Sequence, residues 1–370
     1  MALSRRNILV IMGGGTIVAA TAGVGIFTST RTPEKAIAPW QQAGGYDEPR
    51  RFALSYAILV PNPHNRQPWQ VDLGTPDTVI LYRDKTRDLP HTDPYSRQLT
   101  IGLGCFLEQM RIAATVRGYA VDMVPFPEGE DGPVAIATFR QDSAIEPDPL
   151  FKNILDRHSC KEPFADTPVA PDTAAPLAAL AEVILEPSRV AAIRELTWAA
   201  HRIETYTPRT MKESVDLMRM GKAEINAMPD GIDMGGAFLE AGMAVGMLTR
   251  ENLLDPSSSV FQQGIDMYDE MLNNTPAYAV VTTPNNSRES QLEAGRRWVR
   301  LNLTTTMQGL SLHPVSQALQ EYPEMAALYA EVHKMLAPAG HTVQMLGRLG
   351  YGPAISASPR WPLEAKVIQR

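Results

Sequence analysis

The chain has 370 residues, 44% apolar and 20% charged, enough for a sizeable core and for two domains or one fused unit. Its net charge of -7 excludes the basic signature of a nucleic-acid binder. With only Cys105 and Cys160 there is no disulfide framework and no cysteine metal cluster, and 30 prolines point to a loop-rich surface.

The N-terminus reads Ser4-Arg5-Arg6-Asn7-Ile8-Leu9-Val10, followed by an apolar, Gly/Ala-rich run to Phe27. A charged head before an apolar run is an address and is set aside from fold reasoning. The paired arginines resemble a twin-arginine export signal, with Ile8 and Val10 departing from its usual residues. Ala36-Ile37-Ala38 offers a cleavage site, although Pro39 directly after it is unfavourable. The run is also long enough for a plain membrane anchor. Residues 1–38 are therefore expected to be signal or anchor plus tether. That expectation places the mature protein in the periplasm, free or held at the inner membrane, with the twin-arginine translocase as a partner during export.

Residues 69–73 and 78–82 then read as strands, and residues 96–118 as a long helix with Ile101, Leu103, Phe106, Leu107, Met110 and Ala114 on one face. Residues 134–139 are a further strand. In the second half, residues 278–282 read as a strand and 287–309 as a second long helix. A shift of 191 positions aligns Ser96 with Ser287, Arg97 with Arg288, Gly104 with Gly295, Thr115 with Thr306 and Gly118 with Gly309. This gapless match suggests an internal repeat, with a serine N-cap opening each helix and glycine closing it. Residues 205–275 fit neither copy and hold Met211, Met218, Met220, Met228, Met234, Met243, Met247, Met267 and Met271. Methionine suits a lid over a planar partner, and equally a helical hairpin with an adaptable core.

Three segments carry chemistry. The first is Pro61-Asn62-Pro63-His64-Asn65-Arg66-Gln67-Pro68-Trp69. Its prolines and asparagines fix a non-helical loop that feeds a strand, and its amides could meet the edge of a flat heterocycle or merely shape the turn. The second is Arg157-His158-Ser159-Cys160-Lys161. In extended backbone Arg157, Ser159 and Lys161 project alike, which makes a phosphate pocket or a solvated basic stretch. The third is the irregular tail, with Arg348 and Arg360 available to an anion. No HExxH, zinc-like histidine spacing, GxSxG elbow or GxGxxG after a strand is present.

Together these segments resemble the nitroreductase superfamily. Pro61, Asn65, Gln67, Pro68 and Trp69 match its Asn loop, with Asn62 in place of Ser. Arg157, Ser159 and Lys161 match its phosphate motif, with Lys161 in place of the second arginine. Arg360 fits the closing Pro-Arg-x-Pro-Leu pattern, with Arg348 as rival. In a simple nitroreductase the phosphate motif precedes the Asn loop, whereas here it follows by about 90 residues. That inversion looks like the Acg subfamily, in which two units are fused and one site survives.

The resemblance implies an α+β nitroreductase-like fold, with units at 47–142 and 149–370 forming an intramolecular pseudo-dimer and a Met-rich lid insertion at 205–275. It implies one FMN per chain and a monomer acting on a small oxidised acceptor, a quinone or nitro compound. The phosphate would fall to Arg157, Ser159, Lys161 and a late arginine, and the ring to Pro61, Asn62, Asn65 and Gln67. A backbone N–H from Pro314-Val315-Ser316 would face the flavin N5. No side chain is required as acid or base, so no catalytic residue is named, and no metal is expected. The alternative implied is a non-catalytic FMN-binding or sequestering protein.

Overall fold

The computed structural model describes residues 31–369. The arginine pair and the apolar run lie outside the described residues. The described fold opens with helix α1 (Glu34–Gln42) and helix α2 (Pro49–Ala57). Helix α2 has proline at its first turn, and the Glu48 carboxylate accepts from the Arg50 and Arg51 amides, which satisfies two of its free donors. Strands β1 (Trp69–Asp72) and β2 (Thr78–Arg83) form an antiparallel pair. Helix α3 (Arg97–Thr115) follows, then β3 (Tyr119–Pro125) and β4 (Ala135–Gln141), also antiparallel.

The second half starts with β5 (Glu182–Ile184) and α4 (Pro187–Tyr206). An insertion comes next: α5 (Pro208–Asp216), β6 (Met218–Met220), α6 (Gly221–Ala227), β7 (Ile232–Met234), α7 (Ala237–Ala244), α8 (Arg250–Leu254) and α9 (Ser259–Asn273). The chain then runs through β8 (Ala277–Thr283), α10 (Arg288–Met307), β9 (Ser311–Pro314), α11 (Ala326–Leu336) and β10 (Thr342–Gly350). It ends in the short strand β11 (Val367–Ile368).

The two main sheets share one strand order. The first runs β11-β1-β2-β4-β3 and the second β5-β8-β10-β9. In each, the strand before the long helix pairs with the later of the two strands that follow it. Between the sheets, α3 and α10 cross. Helix α3 is buried on nearly all sides, as a helix at the centre of a fold must be. Gly104 and Gly295, equivalent under the 191-residue shift, meet at the crossing. A Cβ on Gly104 would collide with the Leu292 backbone, and one on Gly295 with the Ile101 carbonyl. Only glycine permits this approach. The first residues of the two helices cross over as well. Arg97 donates to the Leu319 and Gln344 carbonyls of the second half at 2.7 Å, and Arg288 to the Tyr95 carbonyl of the first at 2.9 Å.

Three expectations change here. Ser287 caps its helix through its hydroxyl, but Ser96 does not, because it sits at φ 55° with its hydroxyl taken by Arg83. The Asp93 carboxylate caps α3 instead, accepting from the Gln98 and Leu99 amides. The tether expected to end at residue 38 gives way to folded chain by residue 34, because α1 buries Ala36 and Trp40. The Ala36 carbonyl accepts the Arg360 amide at 2.7 Å, so the Ala36-Ile37-Ala38 triplet lies inside a packed helix. In the insertion, Met211, Met218, Met220, Met234 and Met243 pack around Val215, Leu248 and Leu253 as a small separate core. This is the adaptable-core reading of those methionines.

Candidate functional site

The loop between α2 and β1 is strained. His64, Asn65 and Gln67 hold φ of 46°, 50° and 50°. Asparagine tolerates the left-handed region, but the other two cost about 1 kcal/mol or more each and need surroundings that hold them. The surroundings are a dense set of hydrogen bonds. Asn62 Oδ1 accepts the Gln67 amide at 2.7 Å. Gln67 donates from Nε2 to the Pro229 carbonyl at 2.6 Å and accepts the Trp361 amide at 2.9 Å. Lys366 Nζ donates to the Gln67 carbonyl at 2.8 Å. Asn65 donates to the Pro359 carbonyl at 3.0 Å and accepts from Arg360 at 2.7 Å. The first half, the insertion and the tail therefore meet at one loop. The side-chain amides of Asn62, Asn65 and Gln67, expected at the edge of a heterocycle, are engaged here by the protein's own chain. Pro61 precedes the loop half-buried and gives it no hydrogen bond.

The second segment lies in extended backbone beside β9, where Ser159 bridges Leu312 in parallel. Arg157 closes the preceding turn, its amide bonded to the Asn153 carbonyl at 3.0 Å, and is buried, whereas Ser159 is half-buried and Lys161 exposed. Arg157 is 2% exposed and donates to the Leu59 carbonyl at 3.0 Å. Arg360 is 3% exposed and donates to the same carbonyl, and to that of Val60, at 3.0 Å. Among the described residues neither guanidinium has a carboxylate within ion-pair distance, and the buried Nε of each has no partner. Desolvation lowers Arg157 to about 10. Desolvation, helped by the charge of Arg157, lowers Arg360 to about 9. Both stay charged at neutral pH. Two buried like charges without a counterion are costly, and an anion is what would relieve them.

Lys161 and three histidines are desolvated as well. Lys161 keeps open surface and has no hydrogen-bond partner among the described residues, yet desolvation lowers its ammonium, with Asp233 of β7 opposing. His64 and His158 are each pushed down to about 4, mainly by desolvation, with Lys161 and Arg66 adding to the first and Arg157 and Arg360 to the second. His313 lies well below its ordinary value for the same reason, beside Arg348 and Lys161. His64 Nδ1 is buried without a partner.

Not every expected residue joins this cluster. Arg348 is fully buried and donates to the Met271, Cys160 and Glu162 carbonyls and to His313 Nδ1. It pins the strand that carries Lys161 and shares no partner with Arg157, so Arg360 is the late arginine that converges on the loop. In Pro314-Val315-Ser316, proline has no N–H and that of Val315 goes to the Leu346 carbonyl at 2.9 Å. The Ser316 N–H is left without a partner among the described residues. Sequence reasoning missed the Leu59 carbonyl, the neutral histidines, Asp233 and Trp40. The Trp40 ring lies 4.9 Å from that of His158 and 5.6 Å from the Arg360 guanidinium. Of these only His64 and His158, inside the first and second segments, carried any local signal.

A cleft of about 410 Å³ lined by Gln70, Tyr82, Arg83, Phe126 and Arg288 contains none of the candidate residues. No cluster of three metal-ligating side chains occurs among the described residues. No helix among them is long and apolar enough to cross a membrane.

With this geometry in hand, the mixed helix and sheet chain can be set beside proteins it is similar to in sequence. The "Putative NAD(P)H nitroreductase acg" of Mycobacterium tuberculosis is 32% identical over 122 residues, 32% of this chain and 36% of that protein. The match thus spans about a third of that relative. A second M. tuberculosis protein with the same NAD(P)H nitroreductase description is 25% identical over 332 residues, 86% of this chain and 90% of its own. Among solved structures, a nitroreductase from Anabaena variabilis is 11% identical at a TM-score of 0.43, covering 86% of this chain and 91% of that one. The FMN-dependent nitroreductase of Mycobacterium smegmatis, solved with NADPH, is 18% identical at a TM-score of 0.37, covering 58% and 94%. No family model matches the chain.

Proposed function

We propose that this chain is an FMN-dependent oxidoreductase of the nitroreductase type, built as two fused units with a single flavin site and acting as a monomer. The observation that carries the reading is the pair Arg157 and Arg360, buried without a carboxylate and converging on the base of the Asn loop. The shared strand order and the Gly104–Gly295 crossing support fusion of two like units. The matched relatives support the nitroreductase type.

The residues present fit the phosphate end of FMN. Arg157 Nε, Arg360 Nε and His64 Nδ1 are orphaned donors or acceptors, and Lys161 adds a cation on an open wall. Charge-assisted bonds from this set suit a dianion. Ser159 would add a hydroxyl. The fit at the ring edge is weaker, because the Asn65 and Gln67 amides are committed and Ser316 offers the available backbone N–H. When bound, FMN supplies the hydride and electron transfer, and the protein supplies position and electrostatics. Arg157, Arg360 and Lys161 hold the anion and fix its register. The insertion, reaching the loop through Pro229 and Gly231, shields the site from water. The acceptor in this reading is a small quinone or nitro compound. The sequence ahead of α1 is proposed to direct twin-arginine export to the periplasm, with folded α1 retained.

The test is purification of the full chain without denaturant. Flavin absorbance that reoxidises rapidly with menadione or a nitroaromatic after anaerobic dithionite reduction supports the reading. A colourless protein that takes up no added FMN overturns it, and a bound flavin inert to acceptors removes the word oxidoreductase.

A further inference from the structure

The insertion exposes an apolar helix. Residues 237–247 read Ala-Phe-Leu-Glu-Ala-Gly-Met-Ala-Val-Gly-Met, with Glu240 as their one charge. Helix α7 within this stretch buries no residue. Val245 is 70% exposed, and Phe238 and Met247 are exposed as well. A water-facing helix of this composition leaves a contiguous apolar patch of the kind that marks an interaction surface.

What lies next to the patch identifies its partner. Arg31, where the described fold begins, pairs with Glu240 of α7 at 3.0 Å. The sequence just before it, residues 8–27, holds no charged residue. At 1.5 Å per residue, a helical run of that length would reach about 30 Å, the thickness of a bilayer core. One ion pair thus ties α7 to Arg31, four positions after the end of a span-length apolar stretch of sequence. The only carboxylate on α7 is spent on Arg31 and on the Lys222 amide, so no charge opposes contact with hydrocarbon.

We infer that α7 docks on a lipid bilayer surface, laying Phe238, Val245 and Met247 into the interfacial zone beside the N-terminal run. Two residues separate β7 from α7, and Asp233 of β7 is the carboxylate that acts on Lys161. Docking therefore turns the insertion's side of the candidate site toward lipid. The inference does not depend on the flavin reading.

The full chain carrying Val245→Cys, labelled with an environment-sensitive fluorophore, tests it. Cys105 and Cys160 are buried and leave the new thiol as the reactive one. Val124→Cys, on exposed β3, is the control. With vesicles of phosphatidylcholine and phosphatidylglycerol carrying brominated acyl chains, the label at 245 is expected to shift to the blue and to be quenched at least twofold, while the label at 124 stays unchanged. Adding Phe238→Glu to the first variant should abolish the quenching. No quenching at 245 overturns the inference. So does blue emission at 245 before vesicles are added: if it persists on dilution the chain's own N-terminal run covers α7, and if it fades a second copy does.

Discussion

Arg157 and Arg360 donate to the same carbonyl oxygen, that of Leu59. One comes from the segment beside β9 and the other from the tail, yet both close on the residue that leads into the Asn loop. Repulsion between them is tolerable because the carbonyl dipole lies between the two charges. Their orphaned Nε atoms leave further hydrogen-bonding capacity unused.

Arg157→Ala is expected to weaken FMN binding by about 1.5–3 kcal/mol, roughly 10- to 100-fold, because a charge-assisted partner is lost. Arg360 still holds the Leu59 carbonyl in that variant, so the fold persists. Fluorescence titration of FMN into the apoprotein measures the change. Unaltered affinity places the anion elsewhere.

Gly104→Ala and Gly295→Ala should each destabilise the protein by about 3 kcal/mol, since each new methyl meets backbone that cannot move aside. Combining them should give less than the sum, because one shift of α3 against α10 relieves both. Gly264→Ala is the control: it lies in α9 with open space around its Cβ, and should stabilise by about 0.5–1 kcal/mol. Urea unfolding of the four proteins checks the set.

Stability should fall as pH drops from about 6.5 to about 4. Folded His64 and His158 take a proton only near 4, whereas the unfolded imidazoles do so near 6.5. Between those values the unfolded chain binds more protons, and linkage favours it as acid is added. Melting temperatures across this range test the sign, and the slope should flatten in a His64→Gln, His158→Gln double variant.

Asn65→Ala removes two bonds to the tail and replaces asparagine, which tolerates the left-handed region, with alanine, which tolerates it poorly, at φ 50°. Asn65→Gly removes the same bonds without the backbone strain. Amide exchange around residues 359–361 and 367–368 should speed in both, with the alanine variant also losing about 1 kcal/mol more stability. Equal stabilities would mean that the loop carries no strain at that position.

Much of the frame was legible in the sequence. The long helices announced themselves by period, and the shift that equated Gly104 with Gly295 named the two residues that touch. The Asn loop and the Arg157 segment were placed by motif, and the structure brings Arg157 and Arg360 together across the fold. What stayed hidden was partner choice. An amide reads the same whether it will meet a ligand or the Trp361 N–H, so the fate of Asn65 and Gln67 could not be seen. The histidines carried no spacing signal because they come from three separate segments. Helix α1 was hidden by its neighbours: Ala36-Ile37-Ala38 looks like a cut site until the tail is seen packed on it.

The tail that leaves β10 crosses to the first sheet, where β11 joins β1 in parallel. Asn65 and its partner Arg360 stand 295 positions apart, so synthesis runs almost its full course before the loop finds its clasp. A nascent chain on the ribosome carries the strained turn and Arg157, but not the piece that locks them together. Products released early would lack that clasp altogether. The connectivity thus acts as a completeness check: only a chain translated past Lys366 closes the loop.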